Sequence, residues 1–296
     1  MNISKKRLIK DLICVKNDKL QEHGIYININ EQNIYNIQVM IYGPENTPYA
    51  YGYYFFDFVF SSTDYPFVPP KVAFCTQNAI YKTRFHPNFY HDGKVCLSIV
   101  NTWQGPKWSA CESFKSLLMH LKVLFNTEYP LQFEPGYENQ AKSELSFLYN
   151  EGIKFENLQT ALFDQLAFPP LKFYAFHPMM VELYNKNYEK IMNNVKKIEY
   201  MKKIKFISLY DFNFFINKIN LENKIKKAYN KCKNLKSGLR PLYHTKSNLI
   251  RPSIPAKNYE KDYIIYYKHS ITLIIYQFQV NITKKGKKYW KRSLIS

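Results

Sequence analysis

Between Gly24 and Cys75 the chain breaks into four short runs of aromatic and β-branched residues, each closed by turn signals, and this spacing constrains the fold more than any other feature. The runs are Gly24–Ile29, Ile34–Tyr42 (ending at Gly43-Pro44), Tyr53–Phe60 and Lys71–Cys75. Strands joined by links this short pair as an antiparallel meander, because a parallel crossover needs a dozen or more residues. Tyr65-Pro66-Phe67-Val68-Pro69-Pro70 is excluded from the interior of that sheet, since its three prolines lack the amide donors a ladder requires.

Helical patterns flank the runs. Leu8, Leu12 and Val15 follow the i, i+4, i+7 spacing of an amphipathic helix over 3–17, with Ile9 and Ile13 widening the stripe and Lys6, Arg7 and Lys10 on other faces. Phe114, Leu117, Leu118, Leu121, Leu124 and Phe125 share one face of a second helix. Further helices are predicted near 138–151, over 155–167, and from Pro178 to about 200, with Leu183, Tyr184, Ile191 and Val195 inward. Gln77 to Ala110 loses all period and gains His, Pro, Asn, Gly and Trp. Long loops of this kind in compact domains tend to carry function.

Charge divides the chain. Residues 1–200 hold 20 Lys/Arg and 19 Asp/Glu, net +1, whereas residues 201–296 hold 22 and 4, net +18. The composition therefore marks two units, 1–200 and a strongly basic extension over 201–296. The five cysteines, at 14, 75, 96, 111 and 232, are scattered and form no CxxC pair, which points to reduced thiols in the cytosol or nucleus. The most apolar late stretch, Tyr263 to Ile282, is interrupted by Lys268 and His269, so no membrane span is expected.

Three segments in fixed order then become recognisable: Tyr65 to Pro70, His86-Pro87-Asn88, and Gly93-Lys94-Val95-Cys96-Leu97-Ser98-Ile99, with Trp108-Ser109 closing the loop. They resemble the core of the ubiquitin-conjugating enzymes, including the eight-residue interval from Asn88 to Cys96. Arg84 to Tyr90, Thr102 to Trp108 and Glu134-Pro135-Gly136-Tyr137-Glu138 are similar to a large-loop subfamily with a C-terminal helical extension. That subfamily includes the class serving ubiquitin and a second ubiquitin-like modifier. The resemblance covers roughly residues 3–192. It implies an α+β fold of N-terminal helix, four-stranded antiparallel meander, long active-site loop and C-terminal helices, and a transferase that carries the modifier as a thioester.

A carrier of activated acyl groups needs a nucleophile that accepts and releases them readily, which a thiolate does. The resemblance assigns this to Cys96. It assigns loop ordering or oxyanion stabilisation to Asn88, a role typically worth about 3–4 kcal/mol where such a donor acts directly. It assigns ligase docking to Phe67, Trp108 and Ser109, and contact with the activating enzyme to Lys6, Arg7 and Lys10. Two positions depart from the pattern: Ala110 stands where relatives often have proline, and Tyr129 where many have Asp or Ser guarding lysine entry. Glu128 is the nearest acid, so Glu128 and Tyr129 are both candidates for handling the attacking amine. His86 and His91 invite a Cys–His dyad or a zinc site. However, the resembled motif uses the first histidine as scaffold, and no paired-ligand spacing is present. No metal or nucleotide is implied. The partners implied are a ubiquitin-type modifier, its activating enzyme and a ligase. Two other readings remain: an inactive conjugating-like module, and a catalytically weak domain attached to a nucleic-acid-associated protein, the basic extension contacting phosphate.

Overall fold

In a computed structural model, residues 2–29, 33–77, 83–198, 202–205, 210, 213–216, 218–234, 264–268, 275–282 and 288–294 are described. Helix α1 (Ile3–Asn17) begins where the Asn2 side chain accepts the Lys5 amide, and it buries Leu8, Asp11 and Val15. Ile13, expected on that stripe, is exposed, because the buried face runs through Asp11 instead. The buried Asp11 carboxylate is tied to Arg7 and to the Tyr65 hydroxyl, which makes its burial tolerable.

Strands β1 (Ile25–Ile29), β2 (Asn36–Tyr42), β3 (Tyr53–Val59) and β4 (Lys71–Phe74) form the expected antiparallel meander in the order β1-β2-β3-β4. Met40 pairs with Phe55 and Val39 with Phe56. The β2–β3 link turns at Gly43, where any Cβ would lie 1.7 Å from the Tyr49 carbonyl oxygen, so only glycine fits. Most of β2 and β3 is buried on both faces. On one face, Tyr54 and Phe58 meet Phe125 and Phe114 of α2 (Phe114–Phe125) with centroids 4.6 and 5.2 Å apart. On the other, Phe55 stacks on Phe173 at 4.7 Å and the Tyr53 hydroxyl donates to the Met180 carbonyl. Each such ring contributes about 1.5–3 kcal/mol by leaving water.

The helical region following the loop begins later than the pattern suggested, with α3 at Glu144–Glu156. It continues through a wide π-helical stretch, Asn157–Asp164, into the short α4 (Gln165–Ala167). A tight turn over Leu171–Phe176 leads into α5 (His177–Lys197), which covers the second face of the sheet. Strands β5 (Lys202–Lys205) and β6 (Asn213–Ile216) pair antiparallel, and α6 (Lys218–Asn234) packs on α5. There Tyr229 stacks on Tyr188 at 3.6 Å, and the Tyr184 hydroxyl donates to the Ile225 carbonyl.

Two compact units result, Met1–Lys233 and Asn234–Ser296. The spatial division thus falls some thirty residues beyond the compositional one near 200, because α6 is basic on its outer face yet buries Leu221, Ile225 and Ala228. The second unit contains β7 (Ile264–Lys268), β8 (Ile275–Ile282) and β9 (Lys288–Leu294) in one antiparallel sheet. Of the basic segment Lys284–Arg292, residues 284–287 lie outside the described residues. No helix among the described residues is long and apolar enough to cross a membrane.

Candidate active site

The loop from Thr83 to Cys111 is held by a dense set of polar contacts rather than by regular structure. Its centre is the pair Asn88 and Cys96. The Cys96 amide donates to the Asn88 carbonyl at 2.9 Å, and the Asn88 side-chain amide donates to the Cys96 carbonyl at 2.6 Å. These two bonds close the eight-residue interval seen in the sequence into a ring. Cys96 is 3% exposed.

His86 lies beneath this ring. Burial drives its pKa down to about 3, so the imidazole stays neutral, and Nδ1 accepts the Asn88 amide at 3.1 Å. A neutral acceptor bound to backbone is a scaffold, consistent with the scaffold role expected for this histidine. Phe133, in the short turn Pro130–Phe133, packs on the His86 ring at 5.0 Å. That contact ties the segment carrying Glu128 and Tyr129 to the ring around Cys96.

On the far side of the cysteine, Thr102 Oγ1 donates to the Val95 carbonyl at 2.7 Å and accepts the Leu97 amide at 2.9 Å, bracketing Cys96 in sequence. Asn101 accepts the Trp108 amide. The Trp108 indole is buried, and its Nε1–H donates to the Pro66 carbonyl at 2.6 Å. Trp108 therefore fastens the Tyr65–Pro70 loop to the active-site loop from beneath. Phe67 and Val68 are left exposed, at 69% and 49%, beside an exposed Ser109.

The three basic residues of α1 separate in the same way. Lys6 and Lys10 are exposed. Arg7 is half-buried, paired with Asp11, and donates to the carbonyls of Ala110 and Glu112. Its guanidinium anchors the end of the loop, which supplies there some of the rigidity a proline at 110 would have given.

Glu128 is exposed, and its carbonyl accepts the Asn150 side-chain amide at 2.7 Å. Burial, followed by the Glu128 carboxylate beside it, pushes the Tyr129 hydroxyl up, and its ring lies 6.0 Å from that of Phe147. Of the remaining thiols, burial raises Cys75 to about 11, and Cys14 is raised by its bond to the Asp18 carboxylate. Among the described residues, no three His, Cys, Asp or Glu side chains converge as a metal cluster would require.

Sequence reasoning left Arg84, Asn101 and Thr102 without roles. Arg84 donates to the Pro87 carbonyl at 2.7 Å and so braces the turn that presents Asn88. Its signal was its place three residues before a proline in a quoted motif, but only the fold shows what it touches.

The family model described as ubiquitin-conjugating enzyme matches residues 7–150. The chain is 40% identical over 162 residues to ubiquitin-conjugating enzyme E2 Z of Xenopus tropicalis, covering 54% of this chain and 50% of that one. It is 38% identical over 173 residues to the probable ubiquitin-conjugating enzyme protein 17 of Caenorhabditis elegans, covering 55% and 24%. It is 36% identical over 154 residues to a human dual E2 ubiquitin-conjugating enzyme/E3 ubiquitin-protein ligase, covering 49% and 3%. The chain thus spans half or less of the length of these curated relatives.

Proposed function

The ubiquitin-conjugating enzyme model matches residues 7–150, and from that premise we propose that the chain belongs to this family and that Cys96 accepts ubiquitin or a ubiquitin-like modifier and passes it on. The Cys96 thiolate attacks the thioester joining the modifier's C-terminal carbonyl to the activating enzyme. The tetrahedral intermediate collapses, and the activating enzyme's thiolate leaves. In the second step a lysine amine attacks the new thioester, loses a proton, and Cys96 leaves as thiolate. A ligase cysteine takes the same route without the amine.

The observation that carries this reading is the reciprocal Asn88–Cys96 ring. It holds the nucleophile's backbone fixed, and one N–H of the Asn88 carboxamide is already committed to it. An amide has a second N–H, which is the donor available to an oxyanion.

The partners in this proposal are the modifier, an activating enzyme meeting Lys6 and Lys10, and a ligase meeting Phe67 and Ser109. The helices beyond residue 144 support placing the chain with the extended class that serves two modifiers. A cytosolic or nuclear location is proposed from the scattered cysteines, none of which forms a CxxC pair. Nucleic-acid contact through the basic extension is a further proposal, supported by charge alone.

Charging with labelled modifiers and purified activating enzymes tests the assignment. The adduct should be removed by thiol reductant and abolished in Cys96→Ala, while serine at Cys14, Cys75, Cys111 or Cys232 should leave it intact. A reducible adduct on Cys96→Ala sinks the reading.

A further inference from the structure

Arg84, in the active-site loop, is a largely enclosed cation. Its side chain is 12% exposed, its guanidinium donates to the Pro87 carbonyl, and Glu134 lies 4.0 Å away. The plane of charge is gripped between two aromatic rings: Tyr90 at 4.0 Å and Tyr210 at 4.2 Å. Tyr90 belongs to the active-site loop. Tyr210 comes from beyond residue 200, where composition changes and the family match has ended. Its hydroxyl bonds the Glu134 carboxylate, and its ring lies 6.0 Å from Tyr149, whose own hydroxyl donates to the Arg84 carbonyl.

These contacts form a continuous chain to the nucleophile. Tyr210 and Tyr90 fix the guanidinium, which holds Pro87. Pro87 precedes Asn88, and Asn88 bonds the Cys96 carbonyl. Arg84 Nε is buried with no hydrogen-bond partner, so ring faces supply much of what solvent would otherwise supply to this cation. Without Tyr210 one face of the guanidinium opens.

We propose that Tyr210 is a positioning residue for transfer from Cys96: by stacking on Arg84 it locks the His86–Asn88 turn, so the basic extension contributes to the catalytic unit. The inference rests on the thioester reading for its kinetic consequence, but not for its structural one. Asn88 matters most when an amine attacks, so the effect should fall on discharge rather than on charging.

The test uses the full chain and two variants. Tyr210→Leu keeps apolar bulk but loses the ring, and Tyr210→Phe keeps the ring but loses the bond to Glu134. Amide hydrogen exchange over the peptide spanning 84–96 should quicken in Tyr210→Leu and stay near wild type in Tyr210→Phe. Single-turnover discharge of the loaded thioester to free lysine should slow roughly fivefold in Tyr210→Leu, the equivalent of about 1 kcal/mol of lost cation–π contact, with charging unchanged. Tyr210→Phe should restore most of the rate. Unaltered exchange in Tyr210→Leu overturns the proposal whatever the loading shows. So does discharge at the wild-type rate. Failure of the wild-type chain to load, with exchange still quickened by Tyr210→Leu, overturns the thioester reading and leaves the clamp standing.

Discussion

Residue types near Cys96 sort by what each can do at neutral pH. The raised Tyr129 hydroxyl remains a neutral phenol and is no base. His86 is neutral too, but its Nδ1 is spent on the Asn88 amide. We propose that the exposed Glu128 carboxylate, in a segment braced by Asn150 and by the Phe133–His86 contact, takes or steers the amine proton. Glu128→Gln should slow single-turnover discharge to free lysine by roughly tenfold to a hundredfold, at or below the lower end of what a positioned proton acceptor supplies, with charging unchanged. If Glu128→Gln discharges normally and Tyr129→Phe does not, the tyrosine holds the role. The same scale shows where residue identity misleads. Trp108 and Arg7 have the chemistry of docking residues, yet the indole is buried and bonded to Pro66 and the guanidinium bonds loop carbonyls, whereas Phe67, Ser109, Lys6 and Lys10 are exposed.

Elements were legible wherever a local pattern marked them. The four strands and α2 appear within a residue or two of their expected places, because runs of aromatic and β-branched residues closed by turn signals, and the one-sided stripe of α2, are written locally in the chain. The shift of α3 to Glu144 has a local cause: Ser143 caps the helix by accepting the Ser146 amide, while residues 138–143 are spent in turns. The role of α6 was hidden, because its lysines dominate its composition while four residues of one face are buried. Its removal is the test. A chain ending at 233 should melt within a few degrees of the full chain. One ending at 200 should lose the burial of Leu221 and Ile225 and the Tyr188–Tyr229 stack. At about 1.5–3 kcal/mol per apolar side chain and about 2–4 °C per kcal/mol, its melting temperature should drop by roughly 10 °C or more. Equal melting of both truncations would mean that α6 is only appended.

At the scale of the whole chain, charge follows neither unit alone. Residues 201–233 hold 9 Lys/Arg and 2 Asp/Glu, and residues 234–296 hold 13 and 2, for net charges of +7 and +11. If the second unit contacts phosphate, binding of the full chain to RNA or DNA should weaken steeply with added salt, as released counterions require, and should disappear in a chain ending at 233. Equal binding by that truncation leaves the second unit without this role. The sequence by itself determined the meander, the motif around the proposed nucleophile and the eight-residue interval to Asn88, because apolar runs closed by turn signals and a short loop motif are local properties readable along the chain. Only the tertiary structure decided that Arg7 and Trp108 brace the loop, that both faces of the sheet are covered, and that Tyr210 closes over Arg84. Those pairings join residues about 40 to 130 positions apart, and which side chains meet over such distances depends on packing and chain reversal, of which residue order carries no local trace.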